Sequence, residues 1–280
     1  MDKDIPQDNS KQDKIYWHDA FYAALQLELH DYKDVLTFED EHQLSKEALK
    51  MDVLIIKKTA DVKIDKNIGR IFKNNNIFEY KSETDNLSIW DYNKVTGYAM
   101  IYSAFEKIPI EEITISFVVT PKPMKLFDHL VNDRGFEVEE VINGIYYVKG
   151  DTFKAQIIES KRLSAAENVF LKNLRSSLTK TDMQEVFEAY RKYGILEKVN
   201  IYLNRVLGAN QPIFKEVLAM FDAAVSNIIL KHFEENGMLD KIREDKAKET
   251  ALEMLADGFT TDKVARYVKM PLEWVQSLTK

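Results

Sequence analysis

The feature that most constrains this chain is one change in the period of its apolar residues, which falls near Leu163. Before it, helical spacing alternates with short runs of β-branched and aromatic residues; after it, the spacing is helical throughout. Residues 17–32 put Phe21, Leu25, Glu28 and Tyr32 on one helical stripe. Strand-like segments are expected over 35–44, 51–56 and 77–83. A second helix is expected over 88–105, and an apolar strand over 113–119 ends before Pro121 and Pro123. A short helix over 125–132, a hairpin over 138–148 turning at Asn143-Gly144 and a strand over 153–159 complete this half. Helix, several strands, helix and more strands give an α/β fold with a mixed central sheet flanked by helices.

Past Leu163, residues 165–178 and 182–193 carry helical spacing, with Ser164 and Thr181 where N-caps belong. Pro212 precedes a helix over 214–235. A charged helix over 240–256 stops at Asp257-Gly258, and 261–268 and 272–278 are separated by Met270-Pro271. These last three helices read either as a helix-turn-helix or as a small capping bundle. The expected organisation is a disordered lead-in over 1–13 and an α/β domain over 14–160. An all-α region follows over 161–236, with a small helical tail over 237–280.

Several chemistries have no signature here. The chain has no cysteine, which excludes disulfides and thiolate zinc sites and fits a reducing compartment. It has no GxxxxGK, GxGxxG, HExxH or GxSxG motif, and His18, His30, His42, His129 and His232 show no metal-ligand spacing. No apolar run approaches the ~20 residues of a membrane span, and the polar N-terminus carries no secretory signal, so a cytoplasmic protein with no membrane partner is expected. The net charge of −7 argues against a broad basic surface for nucleic acid. It leaves room for a nuclease, whose acidic site itself contributes negative charge. Trp17, Trp90 and Trp274 read as core.

One acidic constellation stands out. Asp52 lies in Met51-Asp52-Val53-Leu54-Ile55-Ile56, and Glu79 and Lys81 lie in Ile77-Phe78-Glu79-Tyr80-Lys81. On a strand, residues two apart share a face, roughly 7 Å from each other, so Glu79 and Lys81 project together. A carboxylate and an ammonium beside an aspartate of a neighbouring strand suit a divalent cation, as phosphodiester hydrolysis needs. The alternative is a surface pair worth under about 1 kcal/mol. Glu28, a carboxylate within an apolar stripe, is either paired, metal-bound or an edge residue with a wet head. Asp91, Lys94 and Tyr98 line a polar face of the second helix.

Asp52 followed by Glu79-x-Lys81, preceded by a helix bearing Glu28, resembles the PD-(D/E)XK nuclease superfamily. Within it the chain is similar to the transposase-like members grouped with recombination-promoting nucleases. The similarity runs through Trp17-His18-Asp19-Ala20-Phe21, Phe38-Glu39-Asp40-Glu41-His42-Gln43-Leu44 and Met51-Asp52-Val53-Leu54-Ile55-Ile56-Lys57. It continues through Asn67-Ile68-Gly69-Arg70-Ile71-Phe72, Glu79-Tyr80-Lys81-Ser82, Leu87-Ser88-Ile89 and Lys94-Val95-Thr96-Gly97-Tyr98-Ala99. Met51 stands where the superfamily name has proline. The resemblance implies a restriction-endonuclease-like core and metal-dependent cleavage of DNA. It makes Asp52, Glu79 and the Tyr80 main-chain carbonyl ligands of Mg²⁺ or Mn²⁺, Lys81 the group that orients water or stabilises developing charge, and Glu28 a completing catalytic residue. Lys94 and Tyr98 are implied substrate contacts. DNA is the expected partner, and self-association into a homo-oligomer is left open. The alternative function is a catalytically decayed DNA-binding or protein-interaction module on the same fold.

Overall fold

A computed structural model describes residues 17–39, 54–193, 197–218, 220, 247–248 and 250–278. The chain divides into two compact units, residues 1–209 and 210–280. The expected lead-in over 1–13 and Asp52 lie outside the described residues, as do 40–44 and 51–53 of the two expected strands.

The first unit is built on one seven-stranded sheet of order β1-β2-β3-β4-β7-β6-β5. Its strands are β1 (Leu36–Glu39), β2 (Leu54–Lys58), β3 (Asn75–Lys81), β4 (Ile113–Val119), β5 (Glu137–Ile142), β6 (Ile145–Lys149) and β7 (Lys154–Glu159). The pairs β1–β2 and β2–β3 are antiparallel, β3–β4 and β4–β7 parallel, and β7–β6 and β6–β5 antiparallel. The α/β class with a mixed sheet is therefore the observed one. Every residue of β3 and β4 is buried, as parallel strands covered on both faces require. The β5–β6 hairpin turns at Gly144, whose φ of +79° is one that glycine adopts without a Cβ penalty. An added Cβ there would also meet the Glu159 carbonyl oxygen at 2.9 Å.

Two groups of helices cover the sheet. On one face α2 (Ile89–Glu106) lays Tyr92, Val95, Ala99 and Tyr102 on Ile77, Ile115, Phe117 and Ile157. The other face takes α1 (His18–Glu28), whose Phe21 stacks on Tyr80 of β3 at 4.7 Å. Behind α1 pack α4 (Ala165–Lys172) and α6 (Glu197–Ala209). Between these layers Asn76, Thr114, Ser116 and Gln156 form a buried polar ladder, and Gln156 Nε2 donates to the Ile68 carbonyl at 2.8 Å. That bond pins the segment between β2 and β3 over the sheet, which places Lys66 against α1. A short α3 (Met124–Asp128) runs into a wide helical turn, His129–Asp133.

Several boundaries differ from the sequence reading. The first helix ends at Glu28, and Tyr32 falls in a separate 3₁₀ turn. The helix expected over 165–178 stops at Lys172 and breaks at Asn168 (φ −140°, ψ 51°). Residues 173–179 are instead held as a loop by side-chain bonds, among them Arg175 to Asp182. Thr181 is not a cap. Thr179 caps α5 (Lys180–Tyr193), accepting from Asp182 N while its own N–H donates to Asp182 Oδ2. The helix α6 had no separate sequence signal. Trp90 is 79% exposed rather than core.

In the second unit α7 (Gln211–Leu218) carries Pro212 in its first turn, where no intrahelical N–H is needed. Helical residues 250–256, α8 (Thr261–Val268) and α9 (Leu272–Ser277) enclose a small core of Ala251, Val264, Ala265 and Val275. No strand occurs among the described residues after Glu159, and no described helix is long and apolar enough to cross a membrane.

Candidate functional site

The candidate site lies where the C-terminal end of β3 meets the start of α2. Strand alternation turns Glu79 and Lys81 to the α2 side and Tyr80 away from it. Ser88 is the N-cap of α2 and forms a reciprocal capping box with Asp91. Asp91 N donates to Ser88 Oγ at 3.1 Å, while Asp91 Oδ2 accepts from Ser88 N at 3.0 Å and from Ser88 Oγ at 2.5 Å. With Oδ2 fixed in this way, Asp91 Oδ1 faces Lys81 Nζ at 3.0 Å. The same ammonium stands 3.2 Å from Glu79 Oε1 and 3.4 Å from Asp85 Oδ2.

Burial decides the electrostatics. Glu79 and Lys81 are 4% and 8% exposed. Loss of water pushes the Glu79 carboxyl above its ordinary pKa, against the pull of Lys81 and then Lys94. Burial also disfavours the Lys81 ammonium, yet Glu79, Asp91 and Asp85 outweigh it and hold that pKa above the usual lysine value. Asp91 is partly desolvated, but the Ser88 hydrogen bonds and then Lys81 keep it below the usual carboxylate range. Three carboxylates surround the Lys81 ammonium, Glu79 buried, Asp91 half-buried and Asp85 exposed. Hard oxygen donors with surplus negative charge are the ligand type that Mg²⁺ takes.

Other sequence-predicted residues take different places. Lys94 is exposed on α2, near enough for its charge to act on Glu79. Tyr98 is half-buried and packs against the apolar cluster beneath α2. The Tyr80 hydroxyl donates to the Leu174 carbonyl at 3.0 Å on the opposite face. Glu28 is buried, and its partners are not in this cluster. Its Oε2 accepts from Lys66 Nζ at 2.8 Å, and its Oε1 accepts from Phe170 N at 2.7 Å and Leu171 N at 3.1 Å. Those two N–H groups follow the break at Asn168, so Glu28 serves as a side-chain cap for the resumed helix. Burial nonetheless raises its pKa, more than Lys66 and the two N–H groups lower it.

Asp85 and Asp91 are the members of the cluster that the sequence reading left off its catalytic and metal-binding residues, although it set Asp91 on the polar face of the second helix. The signal was present as Ser88-x-x-Asp91 ahead of a helix, a spacing that sets the aspartate on the first turn. Among the described residues no three or more His, Cys, Asp or Glu side chains are grouped to hold a metal ion. No protein-family model, curated protein or solved structure matches the chain.

Proposed function

We propose that this chain is a metal-dependent DNA endonuclease of transposase or recombination type, with a restriction-endonuclease-like core. The observation that carries the reading is the buried Lys81 ammonium, held 3.2 Å from Glu79 and 3.0 Å from Asp91 on the α2 side of β3. Asp52 and Glu79, with the Tyr80 main-chain carbonyl, would hold Mg²⁺ or Mn²⁺, and Asp91 adds an oxygen donor. When bound, the metal supplies a lowered pKa for water and polarises a phosphate oxygen. Lys81 places a fixed positive charge where negative charge grows on the phosphoryl oxygens. Lys94 meets a neighbouring phosphate from the exposed face of α2. Glu28, committed to Lys66 and α4, acts through the scaffold.

Nicking of supercoiled plasmid tests this. Wild type should require Mg²⁺ or Mn²⁺ and stop with chelator, while Ca²⁺ supports binding with little turnover. Glu79→Ala should lose both metal affinity, read by calorimetry, and cleavage. Lys81→Ala should keep metal affinity and lose roughly 10²–10³ in rate, the scale for one charge-stabilising donor. Wild-type DNA binding with no nicking under any of these cations would replace the reading with a decayed DNA-binding module.

A further inference from the structure

Trp90 is the most exposed of the large apolar side chains described, at 79%, on a chain whose other described tryptophans are half-buried. Burial of a large apolar side chain favours the folded state, and Trp90 forgoes most of that gain. It lies in the first turn of α2, immediately before Asp91, whose carboxylate grips Lys81 at 3.0 Å. One turn on, Lys94 follows at i+4 on the same face of α2, roughly 5–6 Å away between Cβ atoms. Lys94 forms no ion pair among the described residues. A flat aromatic face beside an exposed ammonium matches the chemistry of a nucleotide: a base stacks on the ring while a phosphate meets the cation.

Resting on the nuclease reading, we propose that Trp90 and Lys94 form a ledge that stacks an unpaired base and grips its phosphate at the entrance to the Glu79–Lys81 site. The ledge holds one strand by stacking, which every base permits, and therefore favours single-stranded or locally opened DNA over intact duplex. It is tolerant of sequence. Lys94 contributes the salt-sensitive part of the affinity and Trp90 the salt-insensitive part.

The test uses the full chain with a fluorescein-labelled 12-nucleotide oligothymidylate in Ca²⁺, beside a duplex of the same length. Binding should quench indole emission in wild type, and the quenching should disappear in Trp90→Ala. Affinity for the single strand should fall about 5- to 150-fold in Trp90→Ala, the range for losing one stacked base. Trp90→Phe should restore most of it, and Lys94→Ala should flatten the salt dependence. Circular dichroism of each variant checks that it is folded. Oligothymidylate affinity unchanged in Trp90→Ala, or no binding by wild type, overturns the ledge. A Trp90→Ala effect confined to concentration-dependent self-association also overturns it, because the ring then meets another copy. Mg²⁺-dependent plasmid nicking is read on the same proteins. Nicking with an unaffected Trp90→Ala refutes the ledge alone, and stacking without nicking refutes the nuclease alone.

Discussion

Asp91 spends its two carboxylate oxygens on different tasks, Oδ2 on the Ser88 cap and Oδ1 on Lys81. Asp91→Ala should therefore cost about 1 kcal/mol of stability, the scale of a lost cap, and also reduce metal-dependent cleavage. Asp91→Glu separates the two, because a glutamate at this position of the capping box keeps the cap while moving the second oxygen. Its urea midpoint should return toward wild type while its cleavage rate stays low. A rate that recovers together with stability would make Asp91 a helix cap only. Glu28 supports a prediction of a different kind. Its folded pKa is raised above 4.5 by burial. A raised value favours the folded state below the unfolded pKa, and that contribution is lost as pH rises through the folded one. Wild type should accordingly lose stability relative to Glu28→Gln as pH climbs above 4.5, followed by urea denaturation across pH. A difference that stays flat would mean that Glu28 titrates normally.

At the scale of elements, the α4–α5 connection is held by charge as well as by the buried Leu174 and Leu178. Asp182 accepts from Thr179 N at 2.9 Å and from Arg175 Nη2 at 2.6 Å, and Arg175 is only 4% exposed. Asp182→Ala removes a helix cap and leaves a buried guanidinium without its carboxylate, so a loss of about 3 kcal/mol is expected from denaturant unfolding. The Thr179 bonds and then Arg175 overcome the desolvation of Asp182 and hold its pKa below 3.8. Stability from this group is present above 3.8 and is lost as pH falls through the lower folded value. The hairpin turn is held by backbone geometry instead. Gly144→Ala would force a side chain into φ +79° and against the Glu159 carbonyl, for a cost of about 1–2 kcal/mol. A thermal midpoint equal to wild type would mean that the turn can relax into another type.

At the scale of the molecule, the site depends on a sheet whose middle strands are sealed from water. β3 is joined to β2 antiparallel and to β4 parallel, and both of its faces are covered, so the carboxylate and ammonium at its end cannot drift into solvent. All the described members of the cluster belong to the first unit. Residues 1–209 expressed alone should therefore unfold cooperatively and keep the metal affinity of the full chain, read by calorimetry. Loss of that affinity in a folded 1–209 fragment would assign part of the site to residues beyond Ala209.

The sequence by itself determined the order and type of most elements, because apolar periods of 2 and 3.6 are local properties of the chain. It also paired Glu79 with Lys81, since strand alternation alone puts residues two apart on one face. The ends of helices were less legible. Glu28 ends α1 and caps a helix that begins some 140 residues later, a bond that no local pattern encodes. That Asp85 and Asp91 also meet the Lys81 ammonium was likewise decided only in three dimensions. Desolvation depends on what covers a group, and Asp91 reaches Lys81 because α2 lies across the end of β3. The exposure of Trp90 belongs to the same class: a helix pattern marks an apolar residue, but only the packed sheet determines which residues it has room to cover.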